Sequence, residues 1–235
     1  MMPMTLPNGT GMRARHFTPM VVALALVGTA LVAHTVGKWM TYTNQPSSWT
    51  QSPERVPVRV GTVAQSIPAN MMRHSDERAG DSDVETLHLA VLWPSLEGYT
   101  QANARSFADP GDRSPVVSLA LRADAGGLDT NERFERVWMS LSAGEAFPGP
   151  AGLALLPLAG DGLAGTDFVA HARDGGKLFA ARCFTPRDQA LAANCERTVR
   201  TATGLMATYR FRQVHLADWR AMDGAIATLV ASFAP

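Results

Sequence analysis

FVAHARDGGKLFAARCF, residues 168–184, carries the signal that decides the fold. Asp174-Gly175-Gly176 is hairpin punctuation, because glycine reaches the positive φ that a tight turn between twisted strands demands. Phe168 to Arg173 and Lys177 to Phe184 are therefore expected as antiparallel strands. Cys195 to Ala202 and Leu205 to Arg212, around Thr203-Gly204, suggest a second hairpin. From Leu216 the apolar period changes from two to about 3.6, and Trp219, Met222, Ile226, Leu229, Val230 and Phe233 make one stripe of a helix. Such a stripe needs a surface to cover. The last third thus reads as an antiparallel meander packed by a C-terminal helix, in an α+β domain.

Working back from that hairpin, Val117, Leu119 and Leu121 mark a strand after the turn-rich ADPGDRSP. Leu87, Leu89, Val91 and Trp93 alternate with His88 and Ala90 in another, which Trp93-Pro94 should stop. A loop with His74, Asp76, Glu77, Arg78, Asp81 and Asp83 precedes it. Val56, Val58 and Val60 alternate with Pro57 and Arg59, and the proline, which cannot donate to a ladder, places that strand near a sheet edge. Between Asp129 and Leu141 the spacing of Phe134, Val137, Trp138 and Leu141 predicts a helix, with Asp129, Thr130 or Asn131 as its cap. The Gly/Pro-rich passage that follows leaves room for a strand over Gly152 to Leu156.

The only cysteines, Cys183 and Cys195, fall at matching ends of two neighbouring strands of this meander. In an oxidising space such a pair is expected to be bridged. Closing the loop would stabilise the fold by about 3 kcal/mol on the loop-entropy model. Zinc needs about four ligands, and no histidine lies between or beside these cysteines. A redox pair usually has CxxC spacing, which is absent here.

The amino terminus reads as a membrane address. Pro19 to Ala33 (PMVVALALVGTALVA) has no charged residue, and the run continues to Lys38. That is near the lower limit of the roughly 20 apolar residues that span a bilayer core. Arg13, Arg15 and His16 precede it against Lys38 behind it, so the positive-inside rule holds the amino end in the cytoplasm. Trp39 and Tyr42 stand where an aromatic belt would lie. A cleaved secretory signal, with Gly28-Thr29-Ala30 as its small-residue site, is the alternative, and a buried core helix a third. The first two export the remainder. The expected layout is a basic cytoplasmic stub at 1–18, a transmembrane signal-anchor at 19–37, a polar linker at 38–54 and a periplasmic domain at 55–235.

Chemical signatures are sparse. Gly160-Asp161-Gly162-Leu163-Ala164-Gly165 has the letters of GxGxxG, but a dinucleotide site needs a strand before it and a helix after it, and here a strand follows. Gly175-Gly176-Lys177 lacks the spacing of a P-loop. Asp81-Ser82-Asp83-Val84-Glu85 alternates oxygen ligands as calcium loops do, without the turning glycine and with Arg73, His74 and Arg78 nearby. There is no GxSxG and no HExxH. Glu97, Glu145 and Asp161 are single carboxylates in loops. His88 and His171 both face away from their strands' apolar stripes and could meet, with Asp167 or Glu85, as an acid/base site. Trp93-Pro94-Ser95-Leu96-Glu97-Gly98-Tyr99 is the most distinctive aromatic loop, readable as a partner or ligand surface or as a structural plug.

Ile67-Pro68-Ala69-Asn70, the WPSLEGY loop, Ala181-Arg182-Cys183, Asn194-Cys195-Glu196-Arg197, Tyr209-Arg210-Phe211 and Leu216-Ala217-Asp218-Trp219-Arg220 resemble segments of uncharacterised single-pass membrane-anchored proteins of alphaproteobacteria. The resemblance runs from about Val56 to Phe233 and implies an anchored, exported layout. It carries no catalytic residue.

Lys and Arg number 21 and Asp and Glu 21, so the electrostatic footprint of nucleic-acid binding is missing. Arg13 and Arg15 precede every acidic residue, the first of which is Glu54, so the exported part is faintly acidic. The sequence points to a non-catalytic binding or assembly role in the cell envelope, with no cofactor and no metal. Its partners would be the lipid bilayer through 19–37 and another envelope protein, and Trp93, Tyr99, His88 and His171 are the candidate contact residues. The rivals are an envelope hydrolase or modifying enzyme, and a small-ligand or ion sensor.

Overall fold

The computed structural model describes residues 14–43, 49–79, 82–159, 165–188 and 191–235, with side chains left out at 14–20, 36–43 and 165–166. Two compact units result, Met1–Ser47 and Ser48–Pro235. In the first, helix α1 (Ala14–Thr43) occupies the place expected for the span. Its side chains from 21 to 35 are all exposed, Leu24, Leu26, Leu31 and Val32 among them. Among the described residues no helix is long and apolar enough to cross a membrane. Those fifteen positions rise about 22 Å, against the ~30 Å of a hydrocarbon core. The described part of α1 thus gives no support to the span over 19–37, nor to the bilayer as a partner. Residues 1–13 of the stub and 44–48 of the linker lie outside the described residues.

The second unit holds two sheets. The smaller contains β1 (Arg55–Val60), β2 (Val63–Pro68) and β3 (Ser82–Val84) in the order β2-β1-β3. Pro57 does not make β1 an edge strand. It sits opposite Ser66 of β2, and the parallel pairing with β3 begins one residue later, at Val58, so the proline is outside that ladder. The β1–β2 turn passes Gly61 at φ 58°, where a Cβ would come within 2.8 Å of Ala123 Cβ.

The larger sheet is built from β4 (Thr86–Leu92), β5 (Val116–Ala123), β6 (Phe147–Pro148), β7 (Ala154–Pro157), β8 (Gly165–Asp174), β9 (Lys177–Pro186), β10 (Asn194–Arg200) and β11 (Leu205–Arg212). Its order is β4-β5-β11-β10-β9-β8-β7-β6, and every neighbouring pair is antiparallel. The expected meander is therefore real from β6 to β11, and β11 then joins it to the β4–β5 pair. Asp174 pairs with Lys177 across a two-residue turn in which Gly175 and Gly176 take φ 55° and 82°. β8 opens on Gly165, so the glycine-rich passage leads into a strand; its residues 160–164 lie outside the described residues.

Helix α2 is one turn (Ala104–Phe107), and α3 runs only from Thr130 to Arg136. The capping box closes as the sequence allows: Asp129 accepts from the Glu132 N–H, and Glu132 accepts from that of Asp129. The helix expected to reach Leu141 breaks at Val137 (φ −125°, ψ −57°) and continues as a 3₁₀ turn over Trp138–Leu141. Its apolar face divides accordingly, with Phe134 buried while Val137 and Leu141 are exposed.

Helix α4 (Trp219–Ala231) follows a 3₁₀ stretch over Gln213–Asp218. Trp219, Met222, Ile226, Val230 and Phe233 are buried as the stripe requires, in one core with Leu87, Leu89, Leu121, Phe211 and, from the small sheet, Val58, Val60 and Ile67. Burying each such large side chain is worth about 1.5–3 kcal/mol. The carboxyl end is also tied by hydrogen bonds from Ser66 N and the Arg55 guanidinium to the carbonyls of Phe233 and Ser232. The core beneath α4 also takes in a charge. Arg197, on the inward side of β10 between Cys195 and Val199, makes two bonds to Asp223 of α4 and donates to Asn131 Oδ1 and the Ala180 carbonyl. Tyr209 donates its hydroxyl to the same Asp223 at 2.8 Å, and burial holds its pKa well above the usual phenol value.

The bridge between Cys183 and Cys195 forms as the meander predicts. The two residues face each other directly across β9 and β10, with Cα atoms 4.0 Å apart, and both are fully buried.

Candidate functional site

Strand alternation divides the large sheet into two faces. Leu87, Leu89, Leu119, Tyr209 and Phe211 point to the core covered by α4. The opposite parity brings His88, Ala120, Thr208 and Thr198 into one cross-strand row, and Ser118, Arg210, Glu196 and Arg182 into the next. At the β8–β9 end this second face is closed by α3, where Phe134 packs with Val169 and Ala180. Over β4, β5, β11 and β10 it is open, and Arg122, Arg182 and Arg210 are exposed on it.

Shallow grooves cross this open face. One of about 380 Å³ is bordered by Arg122, Arg133, Trp138, Glu196 and Arg210, and one of about 370 Å³ by Asp167, Arg182, Phe184, Asn194 and Arg210. The acids here are engaged laterally, Glu196 by Arg210 and Asp167 by Arg182. The Arg210–Glu196 pair is exposed on both sides, and such pairs are worth only about 0–1 kcal/mol, so a partner can rearrange it at little cost. Arg122 and Arg73 have no acid within ion-pair distance among the described residues. The surface is therefore basic, mixed with Thr and Ser, and flanked by the half-buried aromatics Trp138 and Phe184.

The residues singled out in the sequence do not converge. His88 and His171 lie on the same face, but β5, β11, β10 and β9 stand between their strands. Five steps of about 4.8 Å put them roughly 24 Å apart, which removes the acid/base site. His171 instead packs on Phe134 at 4.5 Å, and burial, helped by Arg173, lowers its pKa. Asp167 is held by Arg182, and Glu85 is an exposed residue just ahead of β4. The WPSLEGY loop behaves as a plug. Tyr99 is buried, stacked on Trp49 at 5.6 Å and edge-on to Phe107, and Trp93 Nε1 donates to Asp218. Trp49 thus belongs to the folded unit, and so do Ser52 and Glu54, whose carbonyls accept from Asn70 and Ala69, so the linker expected to run to 54 ends earlier. The calcium-like loop is corrected as well. Ser82–Val84 is strand β3, Asp83 pairs with Arg59, and Asp81 lies outside the described residues.

One grouping escapes a sequence reading. Glu77, in a 3₁₀ turn over Asp76–Arg78, is buried beneath His88, accepting from its Nδ1 at 2.9 Å and from its backbone N–H. His74 sets its ring edge-on to that of His88 at 5.1 Å. The HxxE spacing of His74 and Glu77 is visible in the chain, but only the fold adds a strand residue from β4.

No protein-family model matches the sequence, and no curated protein compared with it matches either. Among solved structures, the chain is similar to Smlt3025, an immunity protein of the Stenotrophomonas maltophilia type IV secretion system. The TM-score is 0.55 at 15% identity, over 78% of this chain and 94% of that one. At that identity the likeness is one of fold: an α+β domain with antiparallel sheets and a C-terminal helix.

Proposed function

We propose that the chain is a non-catalytic, protective binding protein of the cell envelope, whose folded unit captures another protein on the open face of its large sheet. The observation that carries this reading is the exposed basic face itself, where Arg122 and Arg73 form no salt bridge among the described residues beside the aromatic border of Trp138 and Phe184. Arginine and large aromatics are the residues on which interfaces concentrate their binding energy. The complementary partner surface is acidic. The shared fold with an immunity protein supports a role in binding, and the distance between His88 and His171 argues against an acid/base site built on that pair.

A photo-crosslinking residue placed at Thr208, in the middle of the face, should give one discrete adduct in intact cells. The charge reversals Arg122→Glu and Arg210→Glu should abolish it. An adduct that forms equally well from exposed Val214, or that survives both reversals, would count decisively against the assignment.

The finer reading places this unit in the periplasm, exported by the apolar segment at 19–37 acting as an anchor. The arginines ahead of that segment and the disulfide support it. A reporter fused after Phe233 that is active only in oxidising compartments should be active in cells, and activity only of cytoplasmic reporters would reverse the topology.

A further inference from the structure

We propose that His74, Glu77 and His88 form a binding site for a divalent transition metal, with Zn²⁺ the preferred ion. One ligand atom from each residue lies within 4.8 Å of the other two. Around a tetrahedral zinc, with bonds of about 2.0–2.2 Å, ligand atoms stand roughly 3.4 Å apart. Glu77 Oε1 and His88 Nδ1, 2.9 Å apart, are already that close. His74 is exposed on an irregular stretch of chain and can close the remaining distance.

The frame beneath these side chains is fixed. Arg73 N donates to the His88 carbonyl at 2.9 Å, and Met72 bridges Leu89, so the strand that carries His88 is bonded to the segment that carries His74. Arg78 donates to the Met72 carbonyl, and Ser82 Oγ to that of Glu77, which holds the 3₁₀ turn against the same segment.

Charge points the same way. The Glu77 side chain is only 6% exposed, and a carboxylate taken out of water needs positive charge close to it. An imidazole supplies a full charge only when protonated. Arg78 acts on Glu77 through space and donates to the Met72 carbonyl. A divalent ion held between Glu77 and two imidazoles supplies that charge directly.

Two imidazoles and one carboxylate suit Zn²⁺ and its transition-metal neighbours, whereas Ca²⁺ and Mg²⁺ take mainly oxygen ligands. Three protein ligands leave a fourth position for water or for a donor from a bound partner. His88 and Arg73 border a groove that continues to Thr208 and Arg210, so that position faces the open side of the sheet.

The test uses the full-length, untagged chain, stripped of metal and titrated with Zn²⁺ alone by calorimetry, with melting followed in parallel. One equivalent should bind and raise the melting temperature. His74→Ala changes an exposed side chain, so it should leave the metal-free melting temperature unchanged and weaken Zn²⁺ binding at least tenfold. His88→Ala should weaken it at least as much, and Ca²⁺ should cause no shift. Co²⁺ should develop the visible absorption of a four-coordinate site in the wild type and lose it in His74→Ala. Absence of Zn²⁺ binding, binding equal in wild type and His74→Ala, or an equal response to Ca²⁺ would overturn the assignment. If Glu77→Gln fails to fold, the His74→Ala comparison still decides.

Discussion

Asp223→Ala should destabilise the folded unit by about 3 kcal/mol, lowering its melting temperature by roughly 6–12 °C. The reason is the asymmetry of the pair it breaks. Arg197 is 5% exposed and Asp223 31%, so removing the acid strands a guanidinium that cannot reach water. The Tyr209 hydroxyl loses its acceptor in the same step. Arg197→Met removes the costly charge and leaves an acid that water can solvate, so it should destabilise less, by about 1–2 kcal/mol. Combining Arg197→Met with Asp223→Asn keeps an acceptor for Tyr209 and should fall within about 1 kcal/mol of the wild type. Denaturant melts of the wild type, Arg197→Met, Asp223→Asn and their combination complete a double-mutant cycle. Strictly additive losses would show that the three groups do not act as a unit.

Removing the bridge by Cys183→Ala and Cys195→Ala should destabilise the unit by about 3 kcal/mol, again roughly 6–12 °C in melting temperature. The effect resides mainly in the unfolded chain, where the bridge closes a loop between residues 12 apart in sequence. In the folded state the two strands are already registered by backbone bonds through Cys183–Cys195 and Arg182–Glu196. The native sheet should therefore persist, with unchanged far-ultraviolet dichroism at low temperature. Both sulfurs are buried, so a reductant should act slowly until the unit opens. Finding both thiols open to alkylation in the untreated folded protein would contradict the bridge itself.

What was legible in the chain followed from local signals. The β8–β9 turn, the α4 stripe and the Asp129 cap each rest on a pattern within about ten residues, and all are present in the structure. β2 was not anticipated, because Ala64, Gln65 and Ser66 blur its alternation although Gln65 and Ile67 are buried. The helix through Val137 was overextended because a 3₁₀ turn keeps a near-helical spacing while rotating side chains off the stripe. Long-range pairing was the real limit. The crossing from β5 to β11 has no local mark, so the distance between His88 and His171 could not be read, nor could the meeting of Glu77 with His88. Arg197 was legible in principle. It shares parity with Cys195 and Val199, and a cation at an inward position calls for a counter-charge on whatever covers that face.

The placement of β11 between β5 and β10 has a bearing on biogenesis. A chain delivered amino end first, by a ribosome or through a secretion channel, offers β4 and β5 early and must wait for residues 205–212 before those strands gain their neighbour. Until then the bare flank of β5 is a template for wrong pairing. The β4–β5 pair and the β6–β10 meander can each form locally as they emerge, but the two halves become one sheet only when β11 arrives between them.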